Sequence, residues 1–272
     1  MNRRPIGVFD SGIGGLTVVR ELMRQLPHES LIYFGDTARV PYGNKSPETV
    51  RRYSLEILDF LLAREVKMVV VACNTATAHA LEELTRLAPV PVEGVIGPGA
   101  RAAVAASHSG RIGVIGTAGT VASGAYTRAI EAADGHVQVV SQACPLFVPL
   151  VEEGWLDHPA TRLVAVEYLA PLRAHDIDTL VLGCTHYPLL KPLLASLLGP
   201  SIALIDSAQE TAAAVARRLA ASSLRAPAGA PGHVHFVVSD APRQFVKVGR
   251  MFLGERVKDV EMVPLGDDPP GR

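Results

Sequence analysis

Short β-branched runs alternate with helix-length amphipathic segments through most of the chain. The runs "PIGVFD" (5–10), "LIYFGD" (31–36), "MVVVACN" (68–74), "RIGVIGT" (111–117), "VQVVS" (137–141), "TLVLGCT" (179–185), "IALIDS" (202–207), "VHFVVSD" (234–240) and "VKDVEMV" (257–263) read as strands. Most are bounded by Gly, Asn, Asp or Ser, which end a strand and open a turn. Segments such as 46–64 and 74–88 carry apolar residues at three- and four-residue spacing and read as helices. Several strands end on a Ser, Thr or Asn where the next helix needs an N-cap. Strands that are apolar nearly throughout need cover on both faces, which predicts parallel sheets between helices.

The pattern also repeats. "RPIGVFDSGIGGLTV" near the start resembles "GRIGVIGTAGTVAS" at 110–123, and "VKMVVVACNTATAHA" at 66–80 resembles "IDTLVLGCTHYPLL" at 177–190, in the same order. Chance convergence of short apolar strands is the plainer account. The paired order favours two similar α/β domains with mainly parallel sheets and an active site in the cleft between them. "IGPGA" (96–100) is expected to be the first crossover and "IDSAQE" (205–210) the return. That places one domain at 1–97 plus 208–272 and the other at 98–207. "SSLRAPAGAPG" (222–232) reads as a loop and "GDDPPGR" (266–272) as a frayed tail.

Composition narrows the function. In 272 residues, 26 Lys and Arg balance 27 Asp and Glu, and no basic run appears, so nothing points to a nucleic-acid partner. Apolar runs such as "MVVVA" are too short to cross a bilayer, and the N-terminus has no signal-peptide pattern. Three cysteines cannot all pair within the chain, which suits free thiols in a reducing cytoplasm.

Ligands of open α/β sheets bind beyond the carboxyl ends of the strands. Those ends carry Asp10 and Ser11, Asp36, Cys73 with Asn74 and Thr75, Thr117, and Cys184 with Thr185 and His186. A lone cysteine ending a buried strand is usually inert packing. Two in matching contexts, each followed by polar residues, instead suggest an acid and a base facing one substrate. Each is expected at a strand-to-helix turn, where a helix N-terminus would lower the thiol pKa. His186 is placed to relay the proton of Cys184, and Asp10 that of Cys73. No closely spaced ligand pair such as CxxC argues for zinc, so no metal is expected. "DSGIGGLT" has the look of a phosphate loop but lacks both the Walker lysine and GxGxxG spacing. Cys144 reads as packing, Tyr42 and Gly43 as cleft lining, and Glu152 or Glu153 as either a relay carboxylate or a solvated pair.

"GVFDSGIGGLTV", "YFGDTARVPYG", "VVVACNTATA", "VIGTAGTV" and "LVLGCTHYPLL" together resemble the motifs of glutamate racemases, over about residues 6–207, with "HFVVSDAPRQFVKVGRMFLG" also similar. The resemblance implies a cofactor-independent enzyme that makes D-glutamate for peptidoglycan. It also implies that Cys73 and Cys184 are the acid/base pair, assisted by Asp10, His186 and Glu152, with Glu153 the alternative to the last. Ser11, Tyr42, Gly43, Asn74, Thr75 and Thr185, with Asp10 and His186, would contact the glutamate, and Thr117, read from its strand end, is a further candidate donor to its carboxylates. It leaves a homodimer open. The competing readings are a racemase of aspartate or another small amino acid, and a non-catalytic anion- or nucleotide-binding protein.

Overall fold

The computed structural model describes residues 2–266. The first half runs β1 (Ile6–Asp10), α1 (Leu16–Gln25), β2 (Leu31–Gly35), α2 (Pro47–Ala63), β3 (Met68–Val71), α3 (Asn74–Leu87), β4 (Val92–Gly94) and α4 (Ile96–Ala106). Next come β5 (Arg111–Gly116), α5 (Ala118–Ala122), α6 (Ala125–Ala133), β6 (Gln138–Ala143), α7 (Phe147–Glu152), α8 (Pro159–Ala174) and β7 (Thr179–Gly183). The chain closes with α9 (Lys191–Leu198), β8 (Ala203–Asp206), α10 (Ser207–Ala221), β9 (Val234–Val238), α11 (Pro242–Leu253) and β10 (Glu261–Met262). No helix among the described residues is long and apolar enough to cross a membrane.

Two parallel sheets result, in the orders β10-β9-β2-β1-β3-β4 and β6-β5-β7-β8. The echo in the sequence is an echo in space. β1 and β5 hold equivalent central places, as do β3 and β7, and the run β2-β1-β3-β4 is repeated as β6-β5-β7-β8.

The strand pattern explains the cover. Along β3 and just past it, Met68, Val70 and Ala72 face the core shared by both sheets, while Val69, Val71 and Cys73 face a second core under α2 and α3. Alternate side chains of a strand point to opposite faces, so a strand apolar on both needs a layer on each. Helix starts follow local chemistry. Ser46 accepts from Thr49 N at 3.3 Å to open α2, with Pro47 at the first helical position, and Asp206 accepts from Ala208 N at 2.9 Å to open α10.

The chain passes from one sheet to the other through α4, whose first turn is "IGPGA" and which packs on α6, α10, β7 and β8. Some strand expectations need amendment. β4 had no strand signal because its three residues directly follow Pro89 and Pro91 and rest on pairing with β3. Of 257–263 only Glu261 and Met262 are strand, since the edge position leaves them a single partner in β9. The tail expected at 266–272 lies, from 267 onward, outside the described residues.

Candidate active site

In each sheet the strand order reverses at one point, between β1 and β3 and between β5 and β7. Chain segments leaving those strands diverge there and open a crevice. Asp10–Ser11 and Cys73 follow the first pair, Thr117 and Cys184 the second. The two crevices merge into one cavity of about 350 Å³. Cys73 and Cys184 both line it, with Ser11, Tyr42, Gly43, Asn74, Thr75, Thr117, Glu152, Thr185 and His186.

Asp10 is the exception. Its carboxylate lies beneath the cavity wall, accepting from Gly12 N at 2.9 Å and from the Thr185 hydroxyl at 3.3 Å. It is 1 % exposed, and burial pushes its pKa up against the opposing pull of His186. No hydrogen bond joins it to Cys73 among the described residues. The polar neighbour of that thiol is Ser11, with Sγ donating to Oγ at 3.7 Å.

The glycines of "DSGIGG" have a packing reason. A Cβ on Gly14 would sit 2.3 Å from Thr185 Oγ1 and 2.4 Å from His186 Nδ1. This loop lets the first domain's backbone close onto the Cys184–His186 turn of the second, where any larger residue would collide. Thr17 adds a hydrogen bond across the same seam, to Thr185 O at 3.0 Å.

The two thiols occupy different surroundings. Cys73 is the N-cap of α3, its sulfur accepting from Ala76 N at 3.4 Å. The sequence suggested that this helix start would lower the thiol pKa, but burial dominates. With the charge of Asp10 adding to it, burial pushes Cys73 up to about 12. Cys184 does not cap an α-helix. The chain passes through a turn and a short 3₁₀ segment, Tyr187–Leu190, before α9 begins. What Cys184 has instead is His186, whose Nδ1 lies 3.9 Å from the sulfur and whose Nε2 lies 2.9 Å from Glu152 Oε1. Burial alone would lower the His186 pKa. The sulfur on one side and the carboxylate on the other outweigh it and raise the ring to about 10. Of the two adjacent glutamates it is therefore Glu152 that meets His186, while Glu153 faces solvent.

On the wall between the thiols the Thr75 hydroxyl meets those of Thr117 and Thr120 at 3.0 and 3.2 Å. Tyr42 and Gly43 are held by a network that sequence reading missed. Fully buried Asp36 accepts from the Tyr42 hydroxyl, from Arg39 Nε at 2.8 Å and from the Ser239 hydroxyl at 2.8 Å. Asp36 was visible as a strand-end residue, but its partner Ser239, between β9 and α11, lies some two hundred positions away. Val40, Pro41, Pro145, Val148 and Pro149 also line the cavity and carried no signal, being ordinary apolar side chains. Cys144 is buried off the cavity, with Sγ 3.6 Å from Gln142 O.

A family profile described as Asp/Glu/hydantoin racemase matches residues 6–215. The chain belongs to that racemase family. A glutamate racemase of Geobacter metallireducens is 56% identical over 262 residues, 96% of this chain and 97% of the relative. Among solved structures, the glutamate racemase of Thermus thermophilus in complex with β-chloro-D-alanine superposes with a TM-score of 0.88 at 49% identity, covering 96% of this chain and 97% of the other. That of Francisella tularensis in complex with D-glutamate gives 0.90 at 39%, covering 97% and 98%. The racemase fold is thus shared over nearly the whole length. Within it, the residues singled out from the strand ends converge on one cavity, apart from Asp10, which lies beneath its wall, and Asp36, which bonds the Tyr42 hydroxyl from outside the lining.

Proposed function

We propose that this racemase interconverts L- and D-glutamate by two-base proton transfer between Cys73 and Cys184. The observation that carries the reading is the pair of thiols on one cavity, each ending the equivalent strand of its own domain. One sulfur, as thiolate, takes the α-proton. The other, as thiol, delivers a proton to the opposite face of the carbon. Each turnover leaves the two protonation states exchanged, so the protein must reset before it can act again on the same enantiomer. His186, between Cys184 and Glu152, offers the path for that reset: its ring can give or take a proton at the sulfur while Glu152 balances its charge. Cys73, buried and beside Asp10, rests as the protonated partner.

The α-proton of an amino acid is very weakly acidic, so the barrier must fall through orientation and preorganised hydrogen bonds. Ser11, Asn74, Thr75, Thr117 and Thr185 supply donors around the cavity. The two thiols and the relay titrate as a coupled set. This reading takes the first domain as 1–97 with 208–272 and the second as 98–207. It sets the reaction in the cytoplasm, with D-glutamate passing to peptidoglycan synthesis.

The test is L-glutamate in D2O, following α-deuteration and optical rotation. Cys73→Ser and Cys184→Ser should each collapse racemisation, while α-proton exchange survives for one enantiomer. Full racemisation by either variant overturns the two-base assignment.

A further inference from the structure

Tyr126 sits where the two halves of the site meet. It enters from the start of α6 and is 2 % exposed. Its ring packs on Gly183, the residue before Cys184, where a Cβ would come within 2.9 Å of Cε2. Its hydroxyl donates to Asn74 Oδ1 at 2.8 Å, on the residue after Cys73. Gly99 of α4 and Ser207 of α10 adjoin the same hydroxyl: a Cβ on Gly99 would lie 3.4 Å from the phenol oxygen and 3.4 Å from Ser207 Cβ. One side chain thus touches both cysteine-bearing turns and both helices that join the domains.

Asn74 is 3 % exposed and lines the cavity. Its Oδ1 is occupied by Tyr126, and its Nδ2 is buried without a partner among the described residues. The two ends of a carboxamide have the same shape and differ only in donating or accepting. A neighbouring phenol that donates therefore selects the oxygen end and leaves the N–H end over. Burial raises the Tyr126 pKa beyond its ordinary range, so the phenol keeps its proton and remains a donor. Buried donors are rarely left unpaired without a functional reason. A ligand ammonium at this place would need an acceptor, and Oδ1 is already engaged. A ligand carboxylate oxygen suits the N–H that remains.

We propose that Tyr126 is a positioning residue for glutamate recognition, holding the Asn74 carboxamide so that its N–H donates to a substrate carboxylate. The inference rests on the reading of the cavity as a glutamate site. It also makes recognition depend on domain placement, because Asn74 belongs to one thiol's turn and the Tyr126 ring leans on the other's.

The experiment combines Tyr126→Phe, Asn74→Ala and the double variant, with kcat and KM for L- and D-glutamate and a melting temperature for each protein. Tyr126→Phe keeps the ring on Gly183 and frees the carboxamide to flip. It should raise KM about tenfold, the worth of roughly one hydrogen bond, while kcat changes less than about threefold. In the Asn74→Ala background the same change should add nothing. A wild-type KM in Tyr126→Phe, effects that multiply in the double variant, or a melting temperature lowered by roughly 10 °C or more would each assign Tyr126 to packing alone. Wild-type protein that neither binds nor racemises glutamate is a separate outcome, and it removes the reading of the cavity itself.

Discussion

The protonation of Cys73 can be read from its alkylation in the Cys184→Ser variant, where it is the one thiol left on the cavity. An ordinary thiol with a pKa of 9.0 is roughly one-tenth thiolate at pH 8, whereas a pKa of about 12 leaves roughly one part in ten thousand. A more basic thiolate is also a better nucleophile. With a Brønsted slope of about 0.4–0.5, that returns roughly twentyfold of the thousandfold loss. The net expectation is carboxamidomethylation about fiftyfold slower than for a free thiol, increasing tenfold with each pH unit through the alkaline range. Peptide mass spectrometry after timed quenching with iodoacetamide follows Cys73 separately from Cys144, which is buried away from the cavity. Half-maximal reactivity at or below pH 9 would refute the argument that burial and Asp10 together outweigh the helix N-terminus.

Three further perturbations test the rest of the site and its scaffold. Glu152→Gln removes a group that raises the His186 pKa, so the alkaline limb of the pH–rate profile set by His186 should move down from about 10. The rate should also fall roughly 100-fold, the usual worth of a proton-transfer partner, and an unmoved limb would exclude Glu152 from the relay. Gly14→Ala drives a methyl into Thr185 and His186. It should cost about 1–3 kcal/mol in urea unfolding and abolish most activity, whereas a neutral result would show that the two domains can separate at that seam. Lys67 and Glu29 form an ion pair with side chains 0 % and 4 % exposed. Lys67→Met leaves the carboxylate buried without its cation, and a loss of about 3–5 kcal/mol is expected in the same measurement.

Much of this molecule was legible in its sequence because the signals were local. Doubly apolar strands call for two-sided cover wherever they occur, so the parallel sheets could be read from hydrophobic runs alone. The repeat of β1 and β3 in β5 and β7 was equally local, because each copy keeps its own strand and polar terminus. Cys73, Cys184, Thr117 and His186, which line one cavity, were all picked out by one rule, that ligands bind where strands end at a switch point.

What remained hidden depended on distant parts of the chain. Position along β1 placed Asp10 at a strand end, but only packing against Thr185 put it beneath the cavity wall. The helix start promised Cys73 a lowered pKa, yet the desolvation that raises it comes from layers built by residues far along the chain. Glu152 and Glu153 are adjacent in sequence, and only the placement of His186 distinguishes them. The Asp36 network and the Tyr126–Asn74 bond join residues from separate elements whose spacing carries no period. Periodicity and strand termini are properties of the backbone's own geometry. Desolvation, hydrogen-bond partnership and the meeting of two thiols belong to the folded volume, and tertiary structure decided them.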